Sequence, residues 1–217
     1  YEYNDNCLIH NATELTGNFT SCDNAPGTQA SNFTSSNLTN TAATVGWTRG
    51  NGNNVLVVAR SGGAVNADPT DGTTYTANAA FGSGTEIGTG NYVVYKGTST
   101  SVNLTNLTAS TTYHFAIYEY NDNCLIHNAS ELTGNASTIS STVTWNGSTS
   151  TAWNNASNWS NGIVPNSTYD VVINNVSNDP TLGSLSDVCN SLTIQSGGVL
   201  ISNNSSYKLV SGSIVIE

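Results

Sequence analysis

The amino-acid sequence predicts an all-β protein, and three observations carry that reading. Apolar residues fall in short runs of Val, Ile, Tyr and Thr that alternate with polar neighbours and are bounded by Gly and Asn turns. Polarity is carried by 32 Asn, 30 Thr and 28 Ser, about two-fifths of the chain, while only 8% of residues are charged against about 25% in ordinary domains. From residue 142 onward the runs shorten to about three residues separated by Gly, Ser or Asn, a rhythm of turns and short strands. A chain this polar could be disordered, but the alternation and its punctuation favour packed strands.

The chain is organised around residues 118–135, YEYNDNCLIHNASELTGN, which repeat residues 1–18, YEYNDNCLIHNATELTGN, with Thr13 replaced by Ser130. Seventeen identities in eighteen, at an offset of 117 residues, mark one whole module preceded by the closing part of another copy. Residues 1–23 are too few to fold alone and are expected to pair with something outside themselves. The first residue is expected to be a processed or excised end, because neither a signal peptide nor an apolar run near 18 residues is present.

Residues 24–141 read as the complete module. Pro26 marks its start, and strands are expected at 41–48 (TAATVGWT), 54–60 (NVLVVAR), 92–96 (YVVYK), 101–107 (SVNLTNL) and 112–120 (TYHFAIYEY). Between the second and third lies a Gly- and Thr-rich insertion, 61–91, broken by DPTDG and GSGTEIGTG. In the last run a period of two places Tyr113, Phe115, Ile117 and Glu119 on one face and His114, Ala116, Tyr118 and Tyr120 on the other. Rings on both faces predict a central strand.

Trp47 on an early strand, followed by Leu107 six residues before Tyr113 at the start of a late one, resembles the core signature of fibronectin type III-like sandwiches. The resemblance implies a β-sandwich in which Tyr113 makes a tyrosine corner, its hydroxyl bonded to backbone a few residues upstream. The fuller text, from TQASNFTSSNLTN through TTYHFAIYEYN, is also similar to tandem modules of very large secreted surface proteins and adhesins of gliding bacteria. Two features depart from the family: the 117-residue period is long, and the insertion has no general counterpart. In such a sandwich the loop after the penultimate strand lies at the pole where the chain arrives. The resemblance therefore implies a Cys22–Cys124 disulfide, with local pairing of Cys7 and Cys22 as the competing possibility. Cys7 and Cys189 are then left over, to pair with each other or between chains.

Residues 142–217 open with TVTWNGSTSTAWNNASNWSNGIVP, which holds Trp145, Trp153 and Trp159. The short runs at 171–173, 192–194, 199–201, 209–210 and 214–216 suit the rungs of a parallel β-helix-like stack, and a small second sandwich is the alternative. The opening resembles the start of β-helix-like segments in the same class of surface proteins.

Four basic residues against fourteen acidic ones give a net charge of -10. No basic stripe exists to neutralise phosphates, which disfavours nucleic acid as a partner. Four Cys without a CxxC pair point to disulfides and to an extracellular or cell-surface location. Fifteen Asn-x-Ser/Thr sequons begin at Asn11, Asn18, Asn32, Asn37, Asn103, Asn106, Asn128, Asn135, Asn146, Asn155, Asn158, Asn166, Asn175, Asn203 and Asn204. Composition alone would give roughly nine, so the sequons are either its by-product or N-glycosylation sites that solvate a surface poor in charge.

Catalysis finds little support. His10 and His127 are copies of one position, His114 sits inside a strand, and no Gly-x-Ser-x-Gly elbow accompanies them. Glu86 and Glu119 are the nearest approach to a glycosidase carboxylate pair, and only by default. Asp68 and Asp71 could offer oxygens to calcium, but their spacing is not that of an EF-hand and an ordinary turn accounts for them. Trp145, Trp153 and Trp159 could form a sugar-stacking platform or could cap the C-terminal core. No enzyme, metal or cofactor is expected.

Two functions follow. In one, the chain is a structural subunit of a fibre or surface adhesin, a homopolymer joined head-to-tail when residues 1–23 add a strand to the next subunit. In the other it is a carbohydrate-binding module of a longer secreted adhesin.

Overall fold

The structure, a computed structural model, describes residues 3, 4, 9, 10, 22, 24–183, 187–205, 209 and 212–217. At the N-terminus β1 (Tyr3–Asn4) and β2 (Ile9–His10) pair antiparallel. The module that follows is a sandwich of two antiparallel sheets. One has the order β3 (Ser31–Ser36), β4 (Ala43–Thr48), β7 (Ser101–Leu104). The other runs β10 (Leu132–Ser137), β8 (Thr112–Asn121), β5 (Asn54–Ser61), β6 (Asn91–Gly97), and β9 (Ile126–His127) also pairs with β8.

Period-two patterning decides which side chains face inward. Val45 and Trp47 of β4, Val55, Val57 and Ala59 of β5, and Tyr113, Phe115 and Ile117 of β8 meet in one buried core between the sheets. The expected corner is present: the Thr108 backbone N–H donates to the Tyr113 hydroxyl at 2.8 Å, and Leu107 is buried beside it. Phe81, from the insertion, packs edge-on against Tyr113 with ring centroids 4.8 Å apart.

The insertion explains why β5 and β8 are apolar on both faces. Leu56, Val58, Ala116, Tyr118 and Tyr120 point away from the first core and form a second one, over which the insertion lays Val65, Ala67, Tyr75, Ala77 and Ile87. Each large side chain covered in this way gains about 1.5–3 kcal/mol over exposure. Asn91, wholly buried, anchors the lid through its Nδ2 to Asn66 Oδ1 at 2.9 Å and to the Thr89 carbonyl at 3.2 Å.

Sequence reading misses β3, and the reason is physical. SNFTSS has a single apolar residue, because an edge strand facing solvent needs only Phe33 to reach the core. Gly134 of β10 makes room for that ring, since a Cβ there would lie 2.3 Å from Phe33 Cγ.

Beyond residue 141 the strands are parallel. The chain alternates between a sheet of β11 (Thr142–Trp145), β12 (Asp170–Ile173), β14 (Ser191–Ile194) and β16 (Ser213–Ile216) and a smaller pair, β13 (Thr181–Leu182) with β15 (Ile201–Ser202). The register stacks like residues in columns: Val143, Val171, Leu192 and Ile214 in one, Trp145, Ile173, Ile194 and Ile216 in the other. Val143, Trp145, Val171, Ile173 and Leu192 are buried and Ile194 is half-buried, whereas Ile214 and Ile216 on the last strand are 59% and 76% exposed.

Candidate functional site: the repeated hairpin

Residues 118–135 run from the end of β8 through β9 into β10, so the repeated text is the closing hairpin of the sandwich. Seven of its side chains reach distant parts of the module: those of Tyr118, Glu119, Asn121, Asp122, Cys124, His127 and Asn128. Tyr118 donates its hydroxyl to Asp68 Oδ1 at 2.8 Å. Burial and the Asp68 carboxylate hold that phenol well above its ordinary pKa.

Glu119 is fully buried. Its carboxylate accepts from Arg49 Nε at 2.8 Å and Nη2 at 2.9 Å, from the Gly50 N–H at 2.7 Å and from the Gly52 N–H at 3.2 Å. Gly52 is required for that approach, because a Cβ would sit 2.8 Å from Glu119 Oε2. Hydrogen bonding to Glu119 raises the Arg49 pKa further, so the guanidinium stays charged. Tyr120 lies under Lys96, whose Nζ is 5.9 Å from the ring, and burial pushes its phenol up to about 12.

Further along, Asn121 Nδ2 donates to the Asn24 carbonyl at 2.7 Å, and Asn128 Nδ2 donates to the Pro26 carbonyl at 2.7 Å. A disulfide joins Cys124 to Cys22 across 102 residues. Cys124 and Leu125 take left-handed backbone, φ +65° and +49°, a conformation that non-glycine residues adopt at a cost. The disulfide and the Gly72 N–H, which donates to the Leu125 carbonyl at 3.3 Å, hold them there. His127 donates its backbone N–H to Asp71 Oδ1 at 2.9 Å, and its ring Nδ1 lies 3.1 Å from the same oxygen. That backbone bond lowers the Asp71 pKa, and burial lowers that of His127. The Asp68 and Asp71 carboxylates are thus docking points for Tyr118 and His127, bordering a hollow of about 250 Å³.

The hairpin therefore ties the start of the module, the β4–β5 turn and the insertion together at one pole. The first copy forms the same local pairing. Tyr3 faces His10 and Asn4 faces Ile9, as Tyr120 faces His127 and Asn121 faces Ile126 at the 117-residue offset. Cys7, Asn11 and Asn18 lie outside the described residues.

Other sequence candidates fall elsewhere. Glu86 lies on the insertion, exposed, accepting from the Gly90 N–H at 2.7 Å, while Glu119 is occupied by Arg49. His114 faces Arg60 across β5 and Asn135 across β10. Cys189 is buried in the C-terminal core.

Two expectations need correction. Trp145, Trp153 and Trp159 are at most 2% exposed and pack edge-to-face, with centroids 5.0 and 4.8 Å apart, so they cannot offer a platform to a sugar. They fill the core of residues 142–217, where residues 158–160 fold back against β11. Asn158 is no glycan acceptor in the fold: it is wholly buried, and its Nδ2 donates to Ser150 Oγ and the Ala152 carbonyl, both at 3.0 Å. Its Oδ1 accepts from the Thr149 and Ser150 N–H groups, organising the loop between the tryptophans. Asn32, Asn37, Asn103, Asn106, Asn135, Asn146, Asn166, Asn175, Asn203 and Asn204 are exposed, and Asn128 and Asn155 are half-buried.

The profile of a family described as a domain of unknown function, DUF8693, matches residues 144–217. No curated protein matches the chain. Among solved structures, a computationally redesigned β-sandwich protein is 23% identical over 51% of this chain and 89% of its own, with a TM-score of 0.36. The fibronectin type III domain of human collagen XX is 17% identical over 55% of this chain and 100% of its own, with a TM-score of 0.34. The domain of human fibronectin type III domain containing protein 3 is 14% identical over 56% of this chain and 94% of its own, with a TM-score of 0.36. The module's own geometry, three strands β3-β4-β7 facing β10-β8-β5-β6 with the Tyr113 corner, makes residues 24–141 a fibronectin type III-like sandwich.

Proposed function

We propose that the chain is an extracellular structural subunit of a fibre or surface adhesin, extended head-to-tail by β-strand addition through residues 1–23. The observation that carries this reading is the duplicated closing hairpin. In its second copy the hairpin is a docking element whose Tyr, Glu, Asn, Cys and His each bind a distant part of a sandwich. The first copy carries the same residues in the same order and pairs in the same register. An element so equipped is suited to complete a sheet in another subunit.

Residues 142–217 are, in this reading, the beginning of a β-helix-like segment, and the whole is related to the tandem modules of secreted bacterial surface proteins. The role is structural, not enzymatic, and the buried tryptophans remove the support for a carbohydrate-binding module. Electron microscopy of the native protein is expected to show fibres that disappear when residues 1–23 are deleted. A monodisperse monomer whose residues 1–23 pack on their own chain would refute the proposal.

A further inference from the structure

We infer that N-linked glycans on Asn32, Asn37, Asn103 and Asn135 guard the edges of the sandwich against lateral strand pairing, an inference that rests on the extracellular reading above. Four strands end the two sheets: β3, β7, β10 and β6. An edge strand exposes unpaired N–H and C=O groups, and natural proteins blunt it with charge, proline, bulges or a covering segment. The sequences SNFTSS, SVNL and LTGNAS of β3, β7 and β10 contain neither a charged residue nor a proline. Each carries a sequon instead: Asn32 within β3 with Asn37 just past its end, Asn103 in β7, and Asn135 in β10. All four asparagines are exposed.

The fourth edge, β6, is covered by protein. The insertion pairs with it through Asn78 N–H to the Val93 carbonyl at 3.1 Å, Val93 N–H to the Thr85 carbonyl at 2.9 Å and a bridge between Glu86 and Tyr92. No sequon occurs between Asn37 and Asn103, a span that includes β4, β5, the insertion and β6, and none occurs in β8. Four of the six sequons of the sandwich thus sit on or beside β3, β7 and β10, and none lies on β4, β5, β6 or β8. The other two are held by protein: Asn106 donates its Nδ2 to the Phe81 carbonyl just past β7, where the insertion bonds Thr105, and Asn128 donates its Nδ2 to the Pro26 carbonyl.

Local geometry suits attachment. Asn32 lies at φ +54° in an irregularity between Ser31 and Thr34 where the ladder with β4 is already broken. Asn103 accepts from the Thr44 hydroxyl through Oδ1 at 2.9 Å, whereas Asn32 and Asn37 donate their Nδ2 to the Thr48 and Thr44 hydroxyls at 3.3 and 3.2 Å, surface bonds that the modification would replace. Beside them a trough of about 390 Å³ on the outer face is lined by Asn32, Thr34, Ser36, Thr44, Gly46 and Ser101, hydroxyl-rich and uncharged as a sugar requires. Its floor depends on Gly46, where a Cβ would meet Thr34 Oγ1 at 2.7 Å. In the modification, Nδ2 forms a C–N bond to the anomeric carbon of a lipid-linked glycosyl diphosphate. The C–O bond to the diphosphate breaks, the diphosphate leaves with its electron pair, and the Nδ2 proton passes to a base of the transferase, a separate protein.

Glycopeptide mapping of the native secreted protein tests the assignment, together with a Thr34→Ala, Thr105→Ala, Ser137→Ala variant that destroys three sequons but keeps their asparagines. Glycans are expected at Asn32, Asn37, Asn103 and Asn135 and not at Asn158. The variant is expected to associate laterally, seen as at least a doubling of particle width or scattering mass. Adding Ser36→Lys and Thr133→Lys, charges on the outer faces of β3 and β10, should reverse that gain and so separate edge pairing from misfolding. Glycans confined to Asn146, Asn166 and Asn175, or a variant with unchanged particles, would overturn the inference. Failure of the fibre reading shows differently, as native particles indifferent to deletion of residues 1–23.

Discussion

Glu119 is the side chain on which the pole of the sandwich turns, and Glu119→Gln tests this with little change of shape. The native carboxylate receives four N–H donors, two from Arg49 and one each from Gly50 and Gly52. A glutamine keeps one oxygen and points an NH₂ at the remaining donors, so the charge-assisted bonds to Arg49 weaken and at least one buried backbone N–H loses its acceptor. The first loss is about 1.5–3 kcal/mol and the second about 1–3 kcal/mol. Arg49 moderates the total, because its side chain is 18% exposed and keeps the Thr98 and Gly52 carbonyls as acceptors. A destabilisation of about 3–5 kcal/mol is expected, the range for breaking a buried ion pair by removing one partner. Hydrogen exchange of the β5 and β8 amides reads the opening of the sandwich separately from the C-terminal coil. Arg49→Met should produce a comparable loss, and the double variant should fall short of the sum by about 2 kcal/mol, since one interaction is being counted twice. A loss under about 1 kcal/mol for Glu119→Gln, or additivity within about 0.5 kcal/mol, would show that the pole is held by something else.

The remaining predictions concern acid, the coil and its cap. Burial keeps the folded pKa of His127 below its ordinary 6.5, so the unfolded chain binds the extra proton first. The stability it contributes is therefore complete above pH 6.5 and is lost as pH falls through the folded value; Asp71, held below 3.8, gives up its share at lower pH still. Urea midpoints should drop between pH 7.5 and 5, and His127→Gln should flatten that part of the slope; an unchanged slope would remove His127 from the account. Leu192→Ala, inside a buried column, is expected to cost about 2–4 kcal/mol, whereas Ile214→Ala, 59% exposed at the open strand, should cost under about 1 kcal/mol in the isolated protein, both by thermal unfolding. Asn158→Ala strands the Thr149 and Ser150 N–H groups and should destabilise the coil by about 3 kcal/mol, with a red-shifted tryptophan emission as Trp153 and Trp159 loosen.

What could be read from the sequence follows from which residues carry a pattern. Tyr113, Leu107 and Trp47 are placed by their resemblance to the core signature of fibronectin type III-like sandwiches, in which a corner and a core position demand fixed residues at fixed intervals. Strand β8 is recognisable as central from rings on both faces, and the structure gives the reason, a second core on its outer side. The insertion that builds this core was legible only as Gly- and Thr-rich text. Its apolar residues come in pairs such as Val65 with Ala67 and Tyr75 with Ala77, too few in succession to announce a layer. Tryptophans at 145, 153 and 159 read first as a cap of the C-terminal core and second as a platform, since the same flat faces serve both, and the packing agrees with the first. The sequon at Asn158 carries the motif of an exposed asparagine and the contacts of a buried one, because a three-residue motif contains no record of what surrounds it.

The repeat also explains how the two domains are joined. Position 139 corresponds to Cys22 at the 117-residue offset and holds isoleucine. At the start of the sandwich Cys22 is tied covalently to the closing hairpin through Cys124. After the closing hairpin, Ile139 donates its N–H to the Thr39 carbonyl at 3.1 Å, accepts from the Ser110 N–H at 3.1 Å, and packs its side chain against the core of the coil. Asn40 completes the joint, its Nδ2 donating to the Thr168 carbonyl at 2.9 Å and its Oδ1 accepting from the Thr168 hydroxyl at 3.2 Å, with only 3% of the residue exposed. A sandwich can take a disulfide at this place because its own hairpin arrives at the same pole. In the coil the first strand, β11, begins three residues further on, and its neighbour is bonded through the Asp170 N–H to the Ser141 carbonyl at 2.8 Å. The two equivalent positions thus make different contacts: Cys22 is bonded to the closing hairpin of the sandwich, and Ile139 packs against the core of residues 142–217.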